Sequence, residues 1–174
     1  VRNHVRDAQF AGYSRQSSLP SALPPAMNHQ PISLLFGVHA HQPVGNFPFV
    51  MEEAHVRCYR MFLQTLERYP EFRFSVHFSG WLLDWLIERY PADMERLVKM
   101  TRRGQVEWFG SGDCEPVLAS IPHRDRVSQI NVLSDKIERL FGQRPKGAWL
   151  TERVWESAVV PALADTGIEY VAVD

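Results

Sequence analysis

Val106-Glu107-Trp108-Phe109-Gly110, then Val127, Ile130, Leu133, Ile137, Leu140 and Phe141 ahead of Gly142, then Gly147-Ala148-Trp149-Leu150: this passage decides the fold. The outer blocks are short apolar runs of strand length. The middle block repeats its apolar residues at the helical period and stops at a glycine, which tolerates the left-handed turn that closes a helix. Strand, helix, strand is one βα unit with its successor. Upstream, Phe72 to Phe78 has strand character. Leu82, Trp85 and Leu86, then Pro91, then Met94, Leu97, Val98 and Thr101 up to Gly104 make two helices in series. Earlier still, Ile32 to His39 makes the first strand, and Val56, Tyr59, Phe62, Leu63 and Leu66 keep helical spacing up to Pro70. Downstream, a short helix at Pro161 to Asp165 ends by Gly167, and Tyr170 to Val173 makes a fifth strand. The alternation predicts an α/β fold with a parallel sheet. A last parallel strand needs a neighbour or a cover, so the expectation is an incomplete barrel with its first five strands present.

Bulk properties narrow the function. Across 174 residues, 45% are hydrophobic and the net charge is -1, enough apolar material for one ordinary domain and no basic field for a phosphate backbone. Nucleic acid is therefore not an expected partner. The longest apolar stretch, Ile32 to Val38, is far shorter than the roughly 20 residues that span a bilayer, so no membrane association is expected. Cys58 and Cys114 form neither a disulfide framework nor a zinc motif, which fits a reducing, cytoplasmic setting. Residues 1–27 carry arginine, serine and proline without an apolar signal core. They are read as a disordered leader, either a transit peptide or, the reading adopted, a non-native extension upstream of a start at Met27. Residues 28–174 then form the N-terminal portion of the barrel. Composition is silent on oligomeric state.

In a barrel of βα units, ligands gather at the carboxyl ends of the strands. Those ends read His39-Ala40-His41-Gln42-Pro43, His77-Phe78-Ser79-Gly80, Gly110-Ser111-Gly112-Asp113-Cys114-Glu115-Pro116 and Trp149-Leu150-Thr151-Glu152-Arg153. In extended backbone His39 and His41 share a face, so they fit adjacent hydroxyls or a shared metal equally well. A second His-Gln-Pro at His29-Gln30-Pro31 is read as coincidence. Retaining glycoside cleavage needs two carboxyl groups about 5–5.5 Å apart. Glu115 and Glu152 stand at strand ends, whereas Glu107 lies inside a strand and Glu52, Glu53, Glu67, Glu88, Glu95 and Glu138 fall on helix faces. Glu152 could equally pair with Arg153 or serve a helix N-terminus, as Glu156 does. Trp149 can floor a sugar subsite or pack in the core, while Trp81, Trp85 and Trp108 read as core. Ser79 and Asp113 could touch ligand, but loop polarity accounts for them.

Taken together, the His39-Ala40-His41-Gln42-Pro43, Gly110–Pro116 and Trp149-Leu150-Thr151-Glu152-Arg153-Val154-Trp155 motifs resemble glycoside hydrolase family 57, with a likeness running from Ile32 to Asp174. Val76-His77-Phe78-Ser79-Gly80, Pro116–Pro122 and Gly167-Ile168-Glu169-Tyr170-Val171 resemble its 4-α-glucanotransferase branch. The resemblance implies a (β/α)7-type barrel and a retaining enzyme acting on α-1,4-glucans such as starch, glycogen and maltooligosaccharides. It implies Glu152 as nucleophile, His39, His41, Glu115 and Trp149 around the attacked glucose, and no cofactor or catalytic metal. The family's general acid is an aspartate in a motif downstream of the nucleophile. Asp165 and Asp174 match no such motif, so the 174 residues are expected to be inactive alone. Two alternatives remain. A metal-dependent polysaccharide deacetylase would use the histidines with an aspartate, but lacks a third ligand near strand one. A non-catalytic glucan-binding fragment would bind through the same residues without turnover.

Overall fold

The computed structural model describes residues 32–173. The leader, His29-Gln30-Pro31 and Asp174 lie outside the described residues. From Leu34 onward the chain forms one unit. Its strands are β1 (Gly37–Ala40), β2 (Phe74–Phe78), β3 (Val106–Gly110), β4 (Gly147–Ala148) and β5 (Tyr170–Val171), all parallel and ordered as in the sequence. Helices α1 (Pro48–Ala54), α2 (Arg60–Glu67), α3 (Gly80–Arg89), α4 (Pro91–Arg102), α5 (His123–Phe141) and α6 (Val160–Asp165) fill the crossovers. Sequential order with a helical return after each strand is the geometry of a barrel wall, as the alternation predicts.

Pleating sorts the strand residues. Val38 and Ala40, Phe74, Val76 and Phe78, and Val106 and Trp108 face the helices and join Leu82, Leu83, Leu86, Leu97, Met100, Leu133 and Ile137 in the main core. Each fully buried leucine, isoleucine, valine, phenylalanine or methionine among them stabilises the fold by about 1.5–3 kcal/mol. A second cluster around Leu118, Ile130, Leu150, Val159 and Leu163 seats α6 and β4. Residues at the alternate positions, His39, His77 and Glu107 among them, are turned to the other face, where the site forms. Trp108 is fully buried and donates its indole N–H to Thr101 Oγ1 at 3.0 Å, and Trp81 and Trp85 pack against the main core, as expected of them.

Helix boundaries follow local chemistry. Proline occupies the first turn of α1, α4 and α6, where its missing N–H costs nothing. Gly142 closes α5 at φ 77°, its N–H donating to Glu138 O at 2.9 Å. The first crossover corrects the sequence reading, which began its helix at Val56. The helix starts at Pro48 and carries a π-helical turn at His55–Tyr59 between α1 and α2. That wider turn shifts the inward face, so His55 is buried and Val56 lies on the surface. Buried Asp93 on α4 accepts hydrogen bonds from His55 Nε2 and Arg60 Nε, both at 2.9 Å, and so ties the turn down.

Strand ends are shorter than expected. The first strand begins at Gly37 rather than Ile32, the second at Phe74, and the last two end at Ala148 and Val171. A strand exists only where a ladder exists: the β1–β2 register opens at Gly37↔Ser75, and Ile32 is 94% exposed. Cys58 and Cys114 are free and exposed, and no helix among the described residues is long and apolar enough to cross a membrane.

Candidate active site

Parallel register builds the site. His39 on β1 pairs directly with His77 on β2, and because both alternate with core residues, both point away from the helices. Their Nδ1 atoms stand 2.8 Å apart. Glu115 arrives from the loop after β3, with Oε1 3.4 Å from His77 Nδ1 and 3.7 Å from His39 Nδ1. His41 Nδ1 contacts the other carboxylate oxygen, Oε2. The Trp149 ring, following β4, stacks on the His39 imidazole at 4.5 Å between centroids and 11° between planes. Four of the five site residues expected from sequence, His39, His41, Glu115 and Trp149, are thus in one cluster.

Backbone strain concentrates here. Among the described residues, the non-glycine positions with positive φ are Glu115 at 50°, Glu152 at 54° and Arg153 at 53°. Left-handed backbone costs an L-residue roughly 1–2 kcal/mol and persists where the surroundings over-determine it, commonly at sites. Glu152 sits in a 3-10 turn, Thr151–Arg153, and its side chain is exposed rather than packed into the histidine cluster. It is nonetheless close enough for its charge to act on Glu115.

Burial dominates the electrostatics of the cluster. Burial, reinforced by the Glu152 charge, raises Glu115 to about 7. Burial first, and then His41, lowers His39 to about 4, and burial holds the enclosed His77 well below the usual imidazole range. Proximity favours imidazolium–carboxylate pairs whereas burial favours neutral forms. At His39 and His77 burial prevails, which keeps both imidazoles neutral at neutral pH.

Two sequence readings change. His77 reads from sequence only as part of a strand end, yet it is fully buried within the cluster. Its signal was available, since a histidine alternating with Phe74, Val76 and Phe78 must face away from the core they form. The absence of a third ligand near strand one also fails, because both His77 and Glu115 come within reach of His39. Asp113 serves the scaffold: its carboxylate accepts from the buried Lys136 ammonium at 2.9 Å, and its carbonyl accepts from Gly80 N–H at 2.9 Å. A Cβ at Gly80 would collide with Asp113, so the glycine lets the β2 and β3 loops close together. Ser79 is buried beside them.

The glycosyl hydrolase family 57 model matches residues 35–174. The chain is 50% identical over 143 residues to a 4-alpha-glucanotransferase of Thermococcus litoralis, covering 82% of this chain and 22% of that protein. The crystal structure of the Thermococcus litoralis 4-alpha-glucanotransferase superposes with a TM-score of 0.78 over 80% of this chain and 22% of its own. An alpha-amylase of Pyrococcus abyssi is 48% identical with the same coverage. The chain therefore spans about a fifth of the length of these relatives. A family 4 carbohydrate esterase from Streptomyces lividans shares the fold alone, at 12% identity and a TM-score of 0.58 over 81% of this chain and 62% of its own.

Proposed function

The chain belongs to glycosyl hydrolase family 57, and from that premise we propose that it supplies the nucleophile side of a retaining α-glucan-acting enzyme, a 4-α-glucanotransferase or α-amylase. The observation that carries the reading is the contrast in burial between two carboxyl groups that interact. Glu115 is buried and raised to about 7, while Glu152 stands exposed on left-handed backbone, near enough for its charge to act on Glu115. Two carboxyl groups in different environments take different roles. Glu152 is the nucleophile: its oxygen bonds to the anomeric carbon as the glycosidic C–O bond breaks, leaving a covalent glucosyl-enzyme. Water or a sugar hydroxyl then takes the glucosyl group and releases Glu152. His39, His41 and Glu115 hold the hydroxyls of the attacked glucose, and Trp149 packs against its C–H face. The proton for the leaving oxygen comes from the aspartate motif that the family places downstream of the nucleophile. Residues 28–174 are assigned to the N-terminal portion of the barrel, with 1–27 outside it. Two free thiols favour a reducing, cytoplasmic setting.

The test is Glu152→Gln in the enzyme that carries this chain. Disproportionation or hydrolysis of maltooligosaccharides should fall by at least about a thousandfold, because removing a nucleophile removes the covalent route. Binding of the same oligosaccharide should persist. Turnover near the parent rate would overturn the assignment.

A further inference from the structure

We propose that His39, His77 and Glu115 form a binding site for one divalent transition-metal ion of the zinc class. The donor atoms come from three successive strand ends, His39 Nδ1, His77 Nδ1 and Glu115 Oε1, with separations of 2.8, 3.4 and 3.7 Å. A point equidistant from all three lies about 2 Å from each, and zinc bonds to imidazole nitrogen and carboxylate oxygen are roughly 2.0–2.2 Å long. An ion there sits just out of the plane of the three atoms and keeps a further coordination position for solvent. These are the dimensions of an open three-ligand centre, and they need no rearrangement of the backbone.

The carboxylate is already oriented for the task. His41 engages Oε2 and leaves Oε1 directed at the two imidazoles. Oε1 is buried and has no hydrogen-bond partner, in a side chain only 5% exposed. A buried acceptor without a partner costs about 1–3 kcal/mol, which a bound cation relieves. Ligating carboxylates are themselves held by outer polar partners, the part that His41 plays here. Two imidazoles and one carboxylate, with no thiolate, select zinc, cobalt or nickel over calcium and magnesium, whose ligands are oxygens. Where the site also takes glucan, as proposed above, a bound ion withdraws the same groups from sugar hydroxyls and opposes substrate binding; that consequence rests on the glucan reading, whereas the metal site does not.

The experiment is a cobalt(II) titration of the metal-stripped protein, read by the d–d absorption of the ion and so independent of any glucan. One equivalent should bind with a low-symmetry visible spectrum that zinc abolishes by displacement. Glu115→Gln and His39→Gln should each weaken binding at least about tenfold. His39 is partly exposed, so its variant keeps the test valid if the buried positions fail to fold; circular dichroism reports which do. His123→Gln, at an exposed histidine paired with Asp165, should bind as the parent does. A protein without the spectrum, or one whose binding is unchanged in both His39→Gln and Glu115→Gln, overturns the proposal.

Discussion

Glu115 is the residue on which the site's charge state turns. Its carboxyl is raised to about 7, first by burial and second by Glu152. A carbon-detected titration of the Glu115 side chain should show a midpoint near 7, and Glu152→Gln should lower it. A midpoint unmoved by that substitution would show that the two carboxyl groups do not interact. The stability consequence has a definite sign. The folded state holds the Glu115 proton up to about 7, whereas the unfolded chain releases it near the ordinary carboxyl value of 4.5. The contribution is therefore complete below about 4.5 and is lost as pH rises through 7. His39, lowered to about 4, acts in the opposite direction, losing stability as pH falls from about 6.5 toward 4. Urea unfolding at pH 4.5 and 7.5 should then show Glu115→Gln gaining on the parent at the higher pH.

At the scale of elements, the π-helical turn His55–Tyr59 depends on one buried acid. Asp93 accepts from His55 Nε2 and Arg60 Nε, and the His55 ring also stacks on Tyr90 at 3.6 Å. Asp93→Ala leaves a buried imidazole and a guanidinium without their acceptor, which should cost about 3 kcal/mol in equilibrium unfolding. Glu53→Ala, which breaks only the exposed pair with Arg57, should cost under about 0.5 kcal/mol. Similar losses in the two variants would show that the Asp93 cluster is not what anchors the turn. This turn was illegible in the sequence. Val56, Tyr59, Phe62, Leu63 and Leu66 do keep an α-helical period, but a single widened turn rotates the face by one residue, and no side-chain preference marks where that happens. By contrast α5 was legible from Val127 to Phe141, because its apolar period is unbroken and Gly142 ends it.

For the whole molecule, the five strands form one open wall. A cleft between β1 and β5 is lined by Leu35, Phe36, Phe109, Trp149 and Tyr170. Parallel strands are ordinarily covered on both faces. The site residues stand at the rim of this wall, so a glucan bound as proposed would be contacted by them from one side. Since positioned general acids contribute roughly 10²–10⁴-fold, and Asp165 lies on the surface in a pair with His123, the 174 residues alone should bind a maltooligosaccharide weakly without turning it over. Calorimetry and product chromatography on the same sample test this; starch disproportionation by the isolated residues would refute it.

Sequence by itself determined the alternation of strands and helices, the βα order and the three motifs, because apolar period, proline and glycine act locally. It also placed His39, His41, Glu115 and Glu152 at strand ends, where parallel crossovers deliver them. The neighbours of each group were decided only by the tertiary structure. Register set His39 beside His77, loop closure over Gly80 and Asp113 brought Glu115 to both, and burial then moved their protonation. The reason is physical: a ladder's register and a group's desolvation depend on residues distant in the chain, and neither is encoded in the local spacing that a sequence displays.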